Sequence, residues 1–246
     1  MKRKFSITRD KMAFVLLFVA LGIIALQIPV NVLAGAKVKF TLFDLFAPVS
    51  GAFLGSGAGV FAVLLMQIVN LLFHGFSGVQ GDSFIKLIAT LRFFPLIAGV
   101  LYFAAPFRGV WLKGLRLILL IPLLSILAFN LHPIGRTVWF YSLYWLIPLA
   151  LWPFRKRFLF ARALGSTFTA HAVGGAAWIW AFNLPAPVWI SLIPTVALER
   201  AIFALGISAS YILVNNLISI LSVRIALLKS VGVDRRYLIE TLNSKL

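Results

Sequence analysis

Eight ionisable side chains lie inside or beside long apolar runs of this 246-residue chain: Asp44, Lys86, Arg92, His132, Arg136, His171, Glu199 and Arg200. An ionisable group in hydrocarbon costs at least about 2.5–3.5 kcal/mol even on the lenient insertion scale, so it faces an interior and has a job. Their types favour binding over bond-breaking. Cations and histidines outnumber the two carboxylates, a balance that suits an anionic or carboxylate-bearing solute. The candidate binding set is Asp44, Arg92, His132, Arg136, His171, Glu199 and Arg200.

Bond-breaking chemistry finds little to work with. The chain has six acidic residues. Asp10, Asp234 and Glu240 fall near its ends and Asp82 in a loop, which leaves Asp44 and Glu199 among apolar residues. There is no Walker A loop, no His-Glu-x-x-His, no Gly-x-Ser-x-Gly and no paired Asp motif to hold magnesium against a pyrophosphate. Three scattered histidines do not read as a metal site. The lack of cysteine removes disulfides, thiolate metal sites and iron–sulfur clusters. No cofactor is expected. Two other readings stay open: a membrane enzyme or flippase acting on a lipid or prenyl substrate, and a ligand-free assembly or structural protein whose charged groups only pair with one another.

Each candidate has a plain structural reading beside the functional one. Asp44 opens a short helix, where a carboxylate suits the N-terminal dipole. Arg92 lies about eight residues into its run, roughly 12 Å deep at 1.5 Å per residue. It reads either as an ion-pair partner of Asp44 or Glu199 or as a holder of an anion. His132 and Arg136 flank a proline turn, with Trp139, Tyr141 and Tyr144 as interfacial aromatics, and Arg136 is placed to snorkel. His171, mid-run, needs a hydrogen-bond partner on a neighbouring helix. Glu199 and Arg200 are adjacent and point to different faces of a helix, so each is expected to have its own partner.

The elements that must carry these residues follow from composition. Hydrophobic residues make up 62% of the chain and charged residues 12%, about half the charge that a soluble domain carries. The apolar runs are continuous and helix-length, not the alternating ten-residue segments of a β-barrel. The expected architecture is an all-α, polytopic transmembrane helix bundle of about six to eight membrane elements, some of them short. The runs fall at 12–34, 41–54, 58–73, 84–105, 115–131, 137–153 and 162–182, followed by a stretch over 187–223. Gly55-Ser-Gly-Ala-Gly59 separates the second from the third. Pro194 divides the last stretch into a short element over 187–197 and a helix over 198–223. The chain is one integral membrane domain, 1–246, ending in a short cytoplasmic segment, 224–246.

The net charge of +17 first suggests nucleic acid, but its distribution argues against such a partner. A nucleic-acid binder carries a basic face on a folded domain, whereas most Lys and Arg residues here gather in the N-terminal tail, the 106–116 and 154–162 loops and the C-terminal tail. Alternate loops therefore follow the positive-inside bias, which places both ends in the cytoplasm and most of the ionisable candidates toward the outer half. Ala34-Gly-Ala36 imitates a signal cleavage site, but the run before it is too long for a signal peptide and is kept as a span. Asp234 is placed to cap a helix over Arg235–Leu242, in a solvated end resting on anionic headgroups. Small residues four apart (Gly51, Gly55, Gly59; Ala170, Gly174) allow close helix approach.

The segment Phe43-Asp-Leu-Phe-Ala-Pro-Val-Ser-Gly-Ala-Phe-Leu-Gly-Ser-Gly-Ala-Gly-Val-Phe-Ala62, following a first span and a loop, resembles the substrate-binding membrane subunits (S components) of energy-coupling factor vitamin importers. The C-terminal part, with Pro194, Glu199-Arg200 and a final helix, is loosely similar to them. The resemblance implies a small-molecule pocket on the outer side. It also implies docking through the first helix to a transmembrane coupling subunit, powered by separate ATPases. Ala13, Ala20, Gly22 and Ala25 do not give the Ala-x-x-x-Ala spacing of that family's first helix.

Overall fold

The computed structural model describes residues 9–32, 39–74, 93–104, 115–225, 228 and 231–239; Lys86 and Arg92 lie outside them. In chain order the elements are α1 (Arg9–Leu26), β1 (Pro29–Val32), β2 (Lys39–Thr41), α2 (Leu42–Leu54), α3 (Ser56–His74) and α4 (Phe93–Ala104). A 3-10 stretch (Leu115–Leu119) leads into α5 (Leu120–Leu131) and α6 (Pro133–Thr137). A second 3-10 stretch (Trp139–Leu146) precedes α7 (Ile147–Leu151), α8 (Leu159–Phe182) and α9 (Ala186–Ser222), and a 3-10 turn (Arg235–Tyr237) follows. The described fold is helical apart from one short antiparallel ribbon, β1 with β2.

Four elements differ from the sequence expectation. The run over 137–153 is not one helix but the 3-10 stretch Trp139–Leu146 followed by the five-residue α7. The first helix stops at Leu26 instead of running to 34. Pro29 has no N–H to give a helix and disfavours the α region at the residue before it, and the chain turns into the ribbon. The stretch over 187–223 is one helix of 37 residues, with Pro194 inside it. Proline costs one rung, and where little water competes for the freed carbonyl the helix continues past it. Of the helix expected over Arg235–Leu242, the described residues 235–239 form only one 3-10 turn, Arg235–Tyr237, with Leu238 extended. The Gly55 break falls as expected: φ is +83° there, a left-handed value that glycine adopts freely. It lets α3 fold back on α2 so closely that a Cβ on Gly59 would lie 2.8 Å from the Gly51 Cα.

One described helix, α9, is long and apolar enough to cross a membrane by length and composition. At 1.5 Å per residue it is about 55 Å long. Its outward face is apolar, unlike that of a water-soluble helix, and its buried face mixes apolar residues such as Trp189, Phe203 and Ile207 with polar ones. The buried face carries Glu199, Arg200, Asn215, Asn216 and Ser219, while Leu198, Leu205 and Leu213 are each about 60% exposed. Helix α8 follows suit, with Arg162, Ser166, Thr167 and Thr169 buried and Phe160 and Trp180 exposed.

Helix α8 is the central post. It packs on α4, α5, α7 and α9, while α2 touches α1, α3, α4 and α9. Two apolar cores result. One joins α1–α4 to the second half of α9 through Phe18, Phe46, Met66, Phe103 and Tyr211. The other is rich in aromatics and joins α5, the second 3-10 stretch, α8 and the start of α9 through Phe129, Tyr141, Trp145, Phe168 and Trp189.

Candidate functional site

The aromatic core surrounds His171. The Trp145 indole N–H donates to His171 Nδ1 at 3.0 Å, and the Tyr141 hydroxyl lies 3.2 Å from His171 Nε2. An indole only donates, so Nδ1 is the lone-pair nitrogen and Nε2 carries the hydrogen. Nε2–H therefore donates to the Tyr141 oxygen, and the Tyr141 hydrogen is left to point at an acceptor. Phe168 packs edge-on against the imidazole. Trp145 reaches its place because position 175 is glycine: a Cβ there would meet Trp145 Cζ2 at 2.5 Å. His171 itself is half-buried, not sealed.

Beside this cluster, Arg200 Nη2 pairs with Glu199 Oε1 at 2.9 Å, and Arg200 Nη1 donates to Thr167 Oγ1 at 3.1 Å. This corrects the expectation that Glu199 and Arg200 have separate partners. Adjacent side chains leave a helix at different angles, but both of these are buried, and the long guanidinium bends back to the nearest carboxylate. Arg200 also lies 4.3 Å above the Phe203 ring. It acts electrostatically on His171 and Tyr141, and Glu199 acts on Tyr141. Three of the candidates, His171, Glu199 and Arg200, thus share one neighbourhood, with Thr167, Tyr141 and Trp145 added by the structure.

The other candidates are placed elsewhere. The Thr41 N–H donates to Asp44 Oδ2 at 2.9 Å, so this carboxylate helps to start α2. His132 is buried and accepts the Ile134 N–H at 3.3 Å, capping α6 with its ring edge-on to Trp180. Arg136 is exposed and donates to the Leu131 carbonyl. Arg92 lies outside the described residues.

A second polar centre sits at the other end of α8 and α9, and sequence reasoning missed it. Arg162, counted among loop residues, is buried in the first turn of α8. Its Nε donates to the Phe103 carbonyl at 2.7 Å, its guanidinium lies 3.8 Å above the Phe103 ring, and it hydrogen-bonds the Tyr211 side chain. The Tyr211 hydroxyl donates in turn to Asp234 Oδ2 at 3.5 Å.

Asp234 belongs to the chain's final segment, and two adjacent asparagines of α9 grip that segment by its backbone. Asn215 Nδ2 donates to the Asp234 carbonyl at 3.0 Å, and its Oδ1 accepts the Asp234 N–H at 2.8 Å. Asn216 repeats the pairing with the Tyr237 carbonyl at 2.8 Å and the Ile239 N–H at 2.9 Å. These bonds explain the missing helix: the groups that would propagate it are already engaged. The described part of the segment, 231–239, is thus held by its backbone, with its side chains half-buried or exposed. Arg236 bonds Asp234 and also the Lys156 carbonyl, at 2.8 Å, so the final segment and the 152–157 loop share one end of the bundle. The Arg236 hydrogen bond holds the Asp234 carboxyl below the usual carboxylate range, and Asp234 in turn raises Arg236. The signal for this centre was present in the sequence as Asn215-Asn216 within an apolar helix, since two buried amides need partners.

Comparison with protein-family models, with curated proteins and with solved structures found no match.

Proposed function

We propose that the chain is a multi-pass integral membrane protein with both ends in the cytoplasm, which binds a small anionic solute at the His171–Arg200 neighbourhood facing the outer half. The exposed apolar residues of α8 and α9, with charged and amide side chains buried on their inner faces, support the membrane reading. Large exposed apolar faces need lipid or a partner, whereas Arg162, Glu199 and Arg200 are buried. The positive-inside pattern supports the orientation, and the shared end of the 152–157 loop and the final segment agrees with it. The observation that carries the ligand reading is the buried Arg200 beside a hydrogen-bonded cluster in which Tyr141 and Trp145 are buried and His171 is half-buried. Tyr141 has a hydrogen to donate, Arg200 supplies positive charge, and the rings supply an apolar wall, which together suit a small carboxylate or phosphate. In the importer reading the chain is the solute-binding subunit, with a coupling subunit and ATPases as separate partners.

The test is ligand-dependent thermal stabilisation of the purified protein against a panel of small carboxylates and phosphates, with mass spectrometry of co-purified small molecules. Tyr141→Phe and Arg200→Gln should each abolish stabilisation by a compound that protects the parent. Stabilisation that survives both changes sinks the proposal. One observation favours a second reading: Glu199 and Arg200 neutralise each other, as they would in a ligand-free assembly protein. That reading gains if no small anion protects the parent and the apolar pair Glu199→Leu/Arg200→Leu assembles normally with its partners.

A further inference from the structure

The α9 surface formed by Tyr211, Asn215 and Asn216 has the chemistry of a peptide-recognition site. Each asparagine amide offers one donor and one acceptor, the same pair that a neighbouring strand presents to an extended backbone. The two side chains are fully or almost fully buried, and their four bonds to the final segment span 2.8–3.0 Å. Side-chain selection is also present. Asp234 meets the Tyr211 hydroxyl, and Tyr237 packs edge-on against the Tyr211 ring, with centroids 5.8 Å apart. The site thus reads a carboxylate followed three residues later by an aromatic ring. Arg162 hydrogen-bonds Tyr211 and feels the charge of Asp234.

The occupant differs in kind from the helices around it. Residues 231–239 have only one 3-10 turn of regular structure, and Arg236, their link to the 152–157 loop, is 58% exposed at its side chain. Helix α9 hydrogen-bonds itself whether or not the segment is present, whereas five of the segment's seven described hydrogen bonds to the rest of the chain are to α9. A piece held in this way can leave without unmaking what holds it. Its departure would expose Tyr211 and take from Arg162 the charge of Asp234.

We propose that residues 231–239 form a releasable latch, docked in a peptide-recognition site on α9 and closing the Arg162 end of the α8–α9 interface. The latch does not depend on the identity or existence of the solute, so it can fail while the binding reading stands, and the reverse.

The test uses the full-length chain in lipid nanodiscs. Because the chain has no cysteine, a single introduced one reports alone. Three reporters are made: Val233→Cys in the segment, Ala163→Cys beside Arg162, and Ala172→Cys in the distant aromatic core. Each is labelled with a charged maleimide in the parent background and with Asn215→Leu/Asn216→Leu. A latch predicts at least a tenfold faster reaction at positions 233 and 163 in the double variant, with position 172 unchanged. An unchanged rate at 233 would show that the amides do not hold the segment, and faster reaction at 233 alone would show that the segment does not close the Arg162 end. Faster reaction at all three would make the segment an inseparable part of the fold. Each of these overturns the proposal. If the double variant does not fold, hydrogen exchange on the unaltered chain decides: the Asp234 and Ile239 amides must open well before the core amides of α9. Simultaneous opening overturns the latch.

Discussion

The two polar centres of this bundle lie on the same helix pair, α8 and α9, and are closed in different ways. Around His171, every described partner comes from a helix or from the 3-10 stretch Trp139–Leu146, and charge is balanced within α9 by Glu199 and Arg200. Around Arg162, the acid is Asp234, on a segment fastened by two side-chain amides. The first centre is dismantled only by moving helices apart. The second opens by releasing a few hydrogen bonds. A buried charge can therefore be satisfied permanently or conditionally, and the element that brings the counter-charge decides which.

The contrast is tested most severely at Arg200. Arg200→Ala leaves the Glu199 carboxylate in a dry interior and is expected to cost about 3–5 kcal/mol, whereas Glu199→Leu/Arg200→Leu should be close to neutral. Thermal unfolding of the two variants in detergent gives the answer, and a loss below about 1 kcal/mol for Arg200→Ala would mean that water reaches the pair. Gly175→Ala should come next, at about 1–3 kcal/mol, because its methyl collides with Trp145 and pushes the indole off His171. Ligand protection should be lost with it, and a normal melting temperature would show that the cluster repacks freely.

Acid should act on the Arg162 centre through Asp234. Its carboxyl is depressed below the ordinary 3.8, chiefly by Arg236, with Tyr211 adding a further hydrogen bond. A depressed acid contributes stability that is present above its unfolded pKa and lost as pH falls through the folded one. Hydrogen-exchange protection of residues 234–239 should hold from neutral pH to about 5 and decline only below about 4. Loss near pH 6 would point to another group. Smaller still is Arg236→Ala: the guanidinium is largely exposed, so at most about 1 kcal/mol is at stake. Last is Arg136→Ala, expected within about 0.5 kcal/mol by thermal unfolding because the side chain is exposed.

What could be read from the residues divides along the same line. The α2–α3 hairpin was legible because Gly55 is a local signal, and the final long helix because its apolar run is continuous. Pro194 misled, since a rule learned in water overstates the cost of a lost rung among apolar neighbours. His171, Glu199 and Arg200 stood out as ionisable groups in apolar runs, and the structure brings these three together. Asp44 and His132 stood out equally but serve helix ends, because a residue type does not disclose which backbone groups lie within reach. Arg162 was hidden among basic residues that mark a loop. Its partner Asp234 is more than seventy positions away, and no spacing rule joins them.

Helix α9 is a single rod that touches both centres, and this has a mechanical consequence. Arg200 and Asn215 are fifteen residues apart, about 22 Å along the axis. If the rod tilted by about 5° around Arg200, Asn215 would move by about 2 Å on that lever arm. The amide contacts to the final segment are 2.8–3.0 Å long, and a displacement of that size breaks them. Strain at the Glu199–Arg200 pair would thus be delivered to the fastening at the far end, with no change of fold between the two points.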